Sequence, residues 1–160
     1  MTNLNNTSRN TIENFSANNM KLKICIFDLL YKIKKGKTLF TDEKHTFFRK
    51  KQDWTNAQKS TFIEGLLFGS IVNLKGLLQI NYDGNYLIID GTQRIRAIKE
   101  FRANEFRLEG MEILTELNGK LYSELDAYIQ ATIDDTEMDF ECITPSTDRK
   151  IVTYLISKLH

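Results

Sequence analysis

The chain has 160 residues, a formal net charge of +1, 41% apolar and 27% charged residues. That length fits one domain able to bury about 70% of its unfolded surface, and it excludes two independent enzymatic domains. Two cysteines without short spacing, Cys25 and Cys142, and two histidines, His45 and His160, exclude a zinc finger, a disulfide framework and a metal site built from two histidines on one local element.

In chain order, residues 1–19 are rich in Asn, Thr and Ser with scattered Leu4, Ile12 and Phe15. That composition predicts a flexible N-terminal arm, mobile or weakly helical, before a single domain over 20–160. Lys21 to Ile26 alternates polar and apolar like a half-buried strand, and Asp28 is expected to cap a short helix through Leu29, Leu30 and Ile33 that stops at Gly36. After a basic loop around His45 to Gln52, Thr55 caps a helix whose Phe62, Ile63, Leu66 and Leu67 recur at three- and four-residue spacing before Gly69. Leu77–Ile80 and Tyr86–Ile89 form a hairpin across Asn81-Tyr82-Asp83-Gly84-Asn85, with Asp-Gly as the turn signal. The second strand runs into Asp90-Gly91-Thr92-Gln93-Arg94 and a helix through Ile95, Ile98 and Phe101. Downstream, Leu121 to Ile133 reads as helix and Met138 to Ile143 as strand, and Ser146 or Thr147 can cap a last helix carrying Ile151, Val152, Leu155 and Leu159. The predicted fold class is α+β, a small mixed β-sheet flanked by helices.

Charge is uneven. Residues 1–51 hold 11 Lys/Arg against 4 Asp/Glu, and residues 52–160 hold 11 against 17, giving +7 and −6. Lys32, Lys34, Lys35 and Lys37, then Arg49, Lys50 and Lys51, either form a solvated face or contact DNA phosphates. Between Glu100 and Glu141 the balance is 12 acidic to 3 basic, a face suited to a basic protein partner. No run approaches the ~18 apolar residues of a membrane span, and the first twenty residues lack the apolar core of a signal peptide. The expected setting is cytoplasmic, and one proline among many Lys, Asn and Ile suggests an AT-rich coding source, such as a low-GC bacterium or its phage.

The strand, glycine turn and helix at Asp90 carry the chemistry. A helix N-terminus leaves backbone N–H groups unpaired and partly positive, so a glycine turn feeding one is a generic anion site. Gly91 lets the backbone approach a phosphate, and Arg94 can add a bidentate contact. Asp90 can hold a divalent metal, orient Arg94, or cap the helix through the N–H groups of Thr92 or Gln93. Cys25 and Cys142 lie in apolar, strand-like runs and read as core thiols.

Ile89-Asp90-Gly91-Thr92-Gln93-Arg94-Ile95, preceded by Trp54 and the Lys59-Ser60 helix to Gly69, resembles the family called domain of unknown function 262. Phe101, Phe106-Arg107-Leu108, Leu117-Asn118-Gly119 and Tyr122 to Leu125 extend the resemblance over roughly residues 45 to 160. That family forms the front half of GmrSD-type restriction proteins and is grouped with the ParB and sulfiredoxin folds. The resemblance implies a ParB/sulfiredoxin-like domain in which Asp90, Gly91, Thr92, Gln93 and Arg94 line a nucleotide or phosphodiester site, with Arg49, Lys59 and Ser60 nearby. Asp90 and Arg94 would be the catalytic pair of a weak NTPase, with an NTP as ligand and Mg2+ at Asp90. The chain departs from the family pattern at Phe48-Arg49-Lys50, where the arginine falls one place early, and at Ser70-Ile71-Val72, where proline is usual. With two imidazoles it supplies no His-Asn-His nuclease site; if this chain is the natural protein, the resemblance implies a free-standing front domain and not a complete restriction enzyme.

Three functions follow as expectations. The first is a nucleotide-binding domain of a defence, anti-defence or partition system. The second is a nuclease or nickase acting on DNA through the same pocket. The third is a non-enzymatic, phage-type inhibitor whose acidic 100–141 face binds a basic protein such as a nuclease.

Overall fold

The computed structural model describes residues 2–40, 53–69, 74–80 and 84–158, the side chains at 2–5, 17, 18 and 39 aside. The elements are α1 (Thr2–Asn18), β1 (Met20–Cys25), α2 (Ile26–Lys34), β2 (Thr38–Phe40), α3 (Asn56–Leu67), β3 (Lys75–Ile80), β4 (Tyr86–Asp90), α4 (Thr92–Arg102), α5 (Ala127–Asp135), β5 (Glu137–Ile143) and α6 (Arg149–Lys158). Five strands form one mixed sheet in the order β1-β5-β3-β4-β2, so the α+β class holds. β5 is antiparallel to β1 and parallel to β3, while β4 is antiparallel to β3 and parallel to β2.

Period-two alternation divides the sheet between two cores. Leu78, Ile88, Met138, Phe140 and Cys142 join the main core with Ile63 and Leu66 of α3, Ile95, Ile98 and Phe101 of α4, and Leu29 of α2. Leu77, Ile89 and Ile143 face the other way, against Phe15 of α1 and Val152, Leu155 and Ile156 of α6. Among the described residues no helix is long and apolar enough to cross a membrane.

The Asn-rich segment, expected mobile or weakly helical, is the 17-residue helix α1, and Phe15 joins it to the second core. Three local expectations are corrected. β1 ends at Cys25, which is the N-cap of α2, so Asp28 lies in the first turn, and the Ile26 N–H bonds Thr136 O at 2.9 Å. The helix expected from Leu121 begins six residues later, because Tyr122–Glu124 is a 3-10 turn and the Asp126 carboxylate accepts the Ile129 N–H to start α5. Asp148 stands at the head of α6, its Oδ1 accepting Lys150 N–H at 2.7 Å, while Thr147 Oγ1 accepts Thr144 N–H at 3.3 Å. The parallel edge strand β2 carries no sequence signal because three residues are too few to show alternation. Asn81 to Asp83 of the hairpin turn lie outside the described residues.

Candidate functional site

β4 delivers Asp90 to the edge of α4, opposite Leu77, where the β3–β4 register shifts between Leu77 and Leu78. Gly91 follows as N-cap of α4 at φ +98°, a left-handed conformation that costs glycine little. A Cβ there would lie 3.6 Å from Arg94 Nη2 and 3.8 Å from Gly76 Cα. On the Gly76 side, a Cβ would collide with the Phe140 ring and lie 3.0 Å from the Asp90 carbonyl oxygen. Two bare backbones therefore approach each other at the turn, and the N-cap Gly91 supplies no side-chain hydrogen bond to the first N–H groups of α4.

Asp90 is buried, and its Oδ2 accepts from Arg94 Nη2 at 3.2 Å across one helical turn. The two side chains keep only 9% and 12% of their exposure, which sets the strength of the pair. Burial pushes the Arg94 guanidinium below its ordinary range, and the Asp90 charge opposes that shift. An arginine stays protonated through such a change. The arrangement is a cation held beside a helix N-terminus and paired with a buried carboxylate.

The remaining motif residues have other contacts. Gln93 Oε1 accepts Trp54 N–H at 3.4 Å, and its Nε2 donates to Asp53 Oδ1 at 3.1 Å, an oxygen shared with Arg96 Nη1. The Trp54 ring lies 5.5 Å from that of Phe62 and packs on the main core. Gln93 thus ties the entrance of α3 to the head of α4. Lys59 is ion-paired with Glu100, and its ammonium lies 5.4 Å from the centroid of the Phe106 ring. Glu100 is eight residues along α4 from Thr92, roughly 12 Å at 1.5 Å per residue, so Lys59 does not reach the turn. Ser60 is fully buried and its hydroxyl accepts Glu109 N–H at 3.0 Å, which makes it a tether for the following loop. Of the implied site, Asp90, Gly91, Thr92 and Arg94 come together at the turn, Gln93 flanks it, and Arg49 lies outside the described residues.

One functional-looking group escaped the sequence. Glu64, 8% exposed, accepts N–H bonds from Glu112, Ile113 and Leu114 at 2.8 to 3.0 Å. The Leu114 N–H foremost, with those of Glu112 and Ile113, holds its carboxyl below the ordinary range against the opposing effect of burial. The readable signal is an acid between the core-facing Ile63 and Leu66 of α3.

A protein-held magnesium ion needs several oxygen ligands. Among the described residues no group of three or more His, Cys, Asp and Glu side chains converges, and Asp90 is one carboxylate already bonded to Arg94. The described residues around Asp90 do not by themselves supply the donor set of a resident Mg2+. Compared with family models, curated proteins and solved structures, the chain matches none.

Proposed function

We propose that the β4–α4 turn binds the phosphate of a nucleotide, in a domain serving a defence, anti-defence or partition system. One observation carries this: the N-cap of an 11-residue helix is Gly91, which has no side chain to offer the first N–H groups, and the Arg94 guanidinium lies beside it. Backbone N–H groups, helix dipole and a fixed guanidinium are the elements that recognise a dianionic phosphate. The resemblance of Asp90 to Arg94 to the domain of unknown function 262, grouped with ParB and sulfiredoxin folds, supports the same reading. Weak NTP hydrolysis would require Asp90 to leave Arg94 when the phosphate arrives.

The test is calorimetric titration of the full chain with ATP, GTP and pyrophosphate, with and without magnesium. The Asp90→Asn/Arg94→Gln double variant, which removes both charges together, should lose at least tenfold in affinity. Absence of binding to the parent at millimolar ligand would overturn the reading.

A second reading draws on the loop after α4. Glu64 pins residues 112–114 by their backbone, so Ile113, 69% exposed, and the neighbouring Glu109, Glu112 and Glu116 are held on a fixed surface. A basic protein partner fits that surface. Reversing the three glutamates should slow its association without altering nucleotide binding.

A further inference from the structure

We propose that a cleft on α2, independent of the β4–α4 turn, binds single-stranded nucleic acid through Lys32, Lys35, Lys37 and Tyr31. The cleft has a volume of about 600 Å³ and is lined by Ile24, Asp28, Tyr31, Lys32, Lys35 and Lys37. Asp28, Tyr31, Lys32 and Lys35 recur at three- and four-residue spacing, so the helix sets them on one face. Gly36, at φ +69°, reverses the chain after α2. Lys35 N–H bonds Tyr31 O at 3.0 Å and Lys37 N–H bonds Lys32 O at 2.9 Å, which turns Lys37 back onto the last helical turn. The Lys37 carbonyl then accepts Tyr86 N–H at 2.9 Å, anchoring that turn to the head of β4. Three ammonium groups therefore border one cleft from a hydrogen-bonded scaffold.

Their surroundings separate them from the other lysines of the amino half. Lys21 and Lys23 on β1 face Glu141, Glu137 and Asp139 of β5 at 3.6 to 3.7 Å. Lys32, Lys35 and Lys37 have no carboxylate within 4 Å among the described residues, although Asp28 shares the cleft. Cations at a helix C-terminus also complement its dipole, which accounts for Lys32, Lys34 and Lys35. It does not account for Tyr31, 56% exposed, with the Lys35 ammonium 5.6 Å from its ring centroid. Lysines beside an exposed aromatic ring match a single strand, whose phosphates meet the cations and whose unpaired bases stack on the ring. A duplex keeps its base faces covered. An anionic bilayer asks for an exposed apolar face; the one exposed apolar ring of α2 beside this cleft, Phe27, is covered by the Arg102 guanidinium 5.1 Å from its centroid, and the apolar wall of the cleft is the buried Ile24.

Lys37 adjoins the start of β4, and the glycine turn follows its end. The five-residue strand separates the two places by roughly 16 Å at ~3.3 Å per residue, so each site can fail without the other.

The test is fluorescence anisotropy of a labelled 12-nucleotide oligo(dT) with the full chain over a salt series. Replacing Lys32, Lys35 and Lys37 by Gln should reduce the slope of log affinity against log salt by about 2, from ~0.7 per phosphate contact on a single strand. Tyr31→Ala should weaken binding on the order of tenfold at unchanged slope. Asp28→Asn, which removes the one carboxylate of the cleft, should tighten binding. All these side chains lie on the surface, so unchanged melting curves are expected. A parent that fails to bind the oligonucleotide, a slope unaffected by the lysine substitutions, or binding only to phosphatidylcholine vesicles with 30% phosphatidylserine would overturn the proposal.

Discussion

At Arg94 a guanidinium sits where water is largely excluded, 3.2 Å from the carboxylate of Asp90. An arginine acting only as a ligand contact could be removed at little cost to stability. Here Arg94→Ala takes a cation from beside a buried acid, and removing one member of a buried pair costs on the order of 3 kcal/mol. Urea denaturation should show that loss, and it should show a smaller one for Asp90→Asn/Arg94→Gln, which leaves two neutral groups able to bond each other. If the single variant is as stable as the parent, the pair contributes little to folding. The motif was legible as a strand, a glycine and a helix start. The pairing of Asp90 with Arg94, with Gly91 at the N-cap position, was one of three alternatives open in the sequence.

α3 acts as a polar clamp as well as a packing surface. Ser60 and Glu64, one turn apart, hold the backbone of the loop that follows α4 through Glu109, Glu112, Ile113 and Leu114. Because the folded Glu64 pKa lies below its ordinary 4.5, its stabilisation is fully present above that value and is lost as pH falls through the depressed folded value. Glu64→Gln should abolish that acid-dependent component. It should also cost about 2 kcal/mol at neutral pH, because an amide offers one acceptor oxygen and turns donors toward backbone N–H groups. Amide hydrogen exchange at 112, 113 and 114 reads both effects, and unchanged protection in the variant would show that the loop holds itself. The apolar spacing of α3 located the helix, but it assigned no role to Glu64, because the acid's partners lie about fifty residues downstream.

Across the whole molecule, the sheet needs cover on both faces, and the second cover comes from the two ends of the described chain. α1 contributes Phe15 and α6 contributes Val152, Leu155 and Ile156 over Leu77 and Ile143. Phe15→Ala should therefore lower stability by about 1 to 2 kcal/mol, less than a fully buried phenylalanine would, because the ring is only half-buried. Thermal unfolding measures this, and an unshifted midpoint would return α1 to the status of an appendage. Charge is organised at the same scale. Part of the amino-terminal excess is neutralised across the β1–β5 edge, where Lys21 and Lys23 meet Glu141, Glu137 and Asp139, while Lys32, Lys35 and Lys37 border the cleft beside α2.

Four strands, the hairpin pairing and the helices after Thr55 and Gly91 were determined by the sequence itself, since period-two and three-to-four-residue apolar spacing and glycine turns are local properties. Tertiary structure alone decided the rest. α1 looked too polar to be more than an arm, because among its described side chains Phe15 alone joins a core, half-buried, and that leaves almost no apolar stripe to read. β2 exists because Lys37 O and Tyr86 N–H meet across distant parts of the chain. Lys59 and Ser60 resembled phosphate ligands until the packing of α3 on α4 and the following loop assigned them to Glu100 and Glu109. A polar side chain shows its type in sequence, but its partner is chosen by what folding brings within about 3 Å, and that distance is not a local property of the chain.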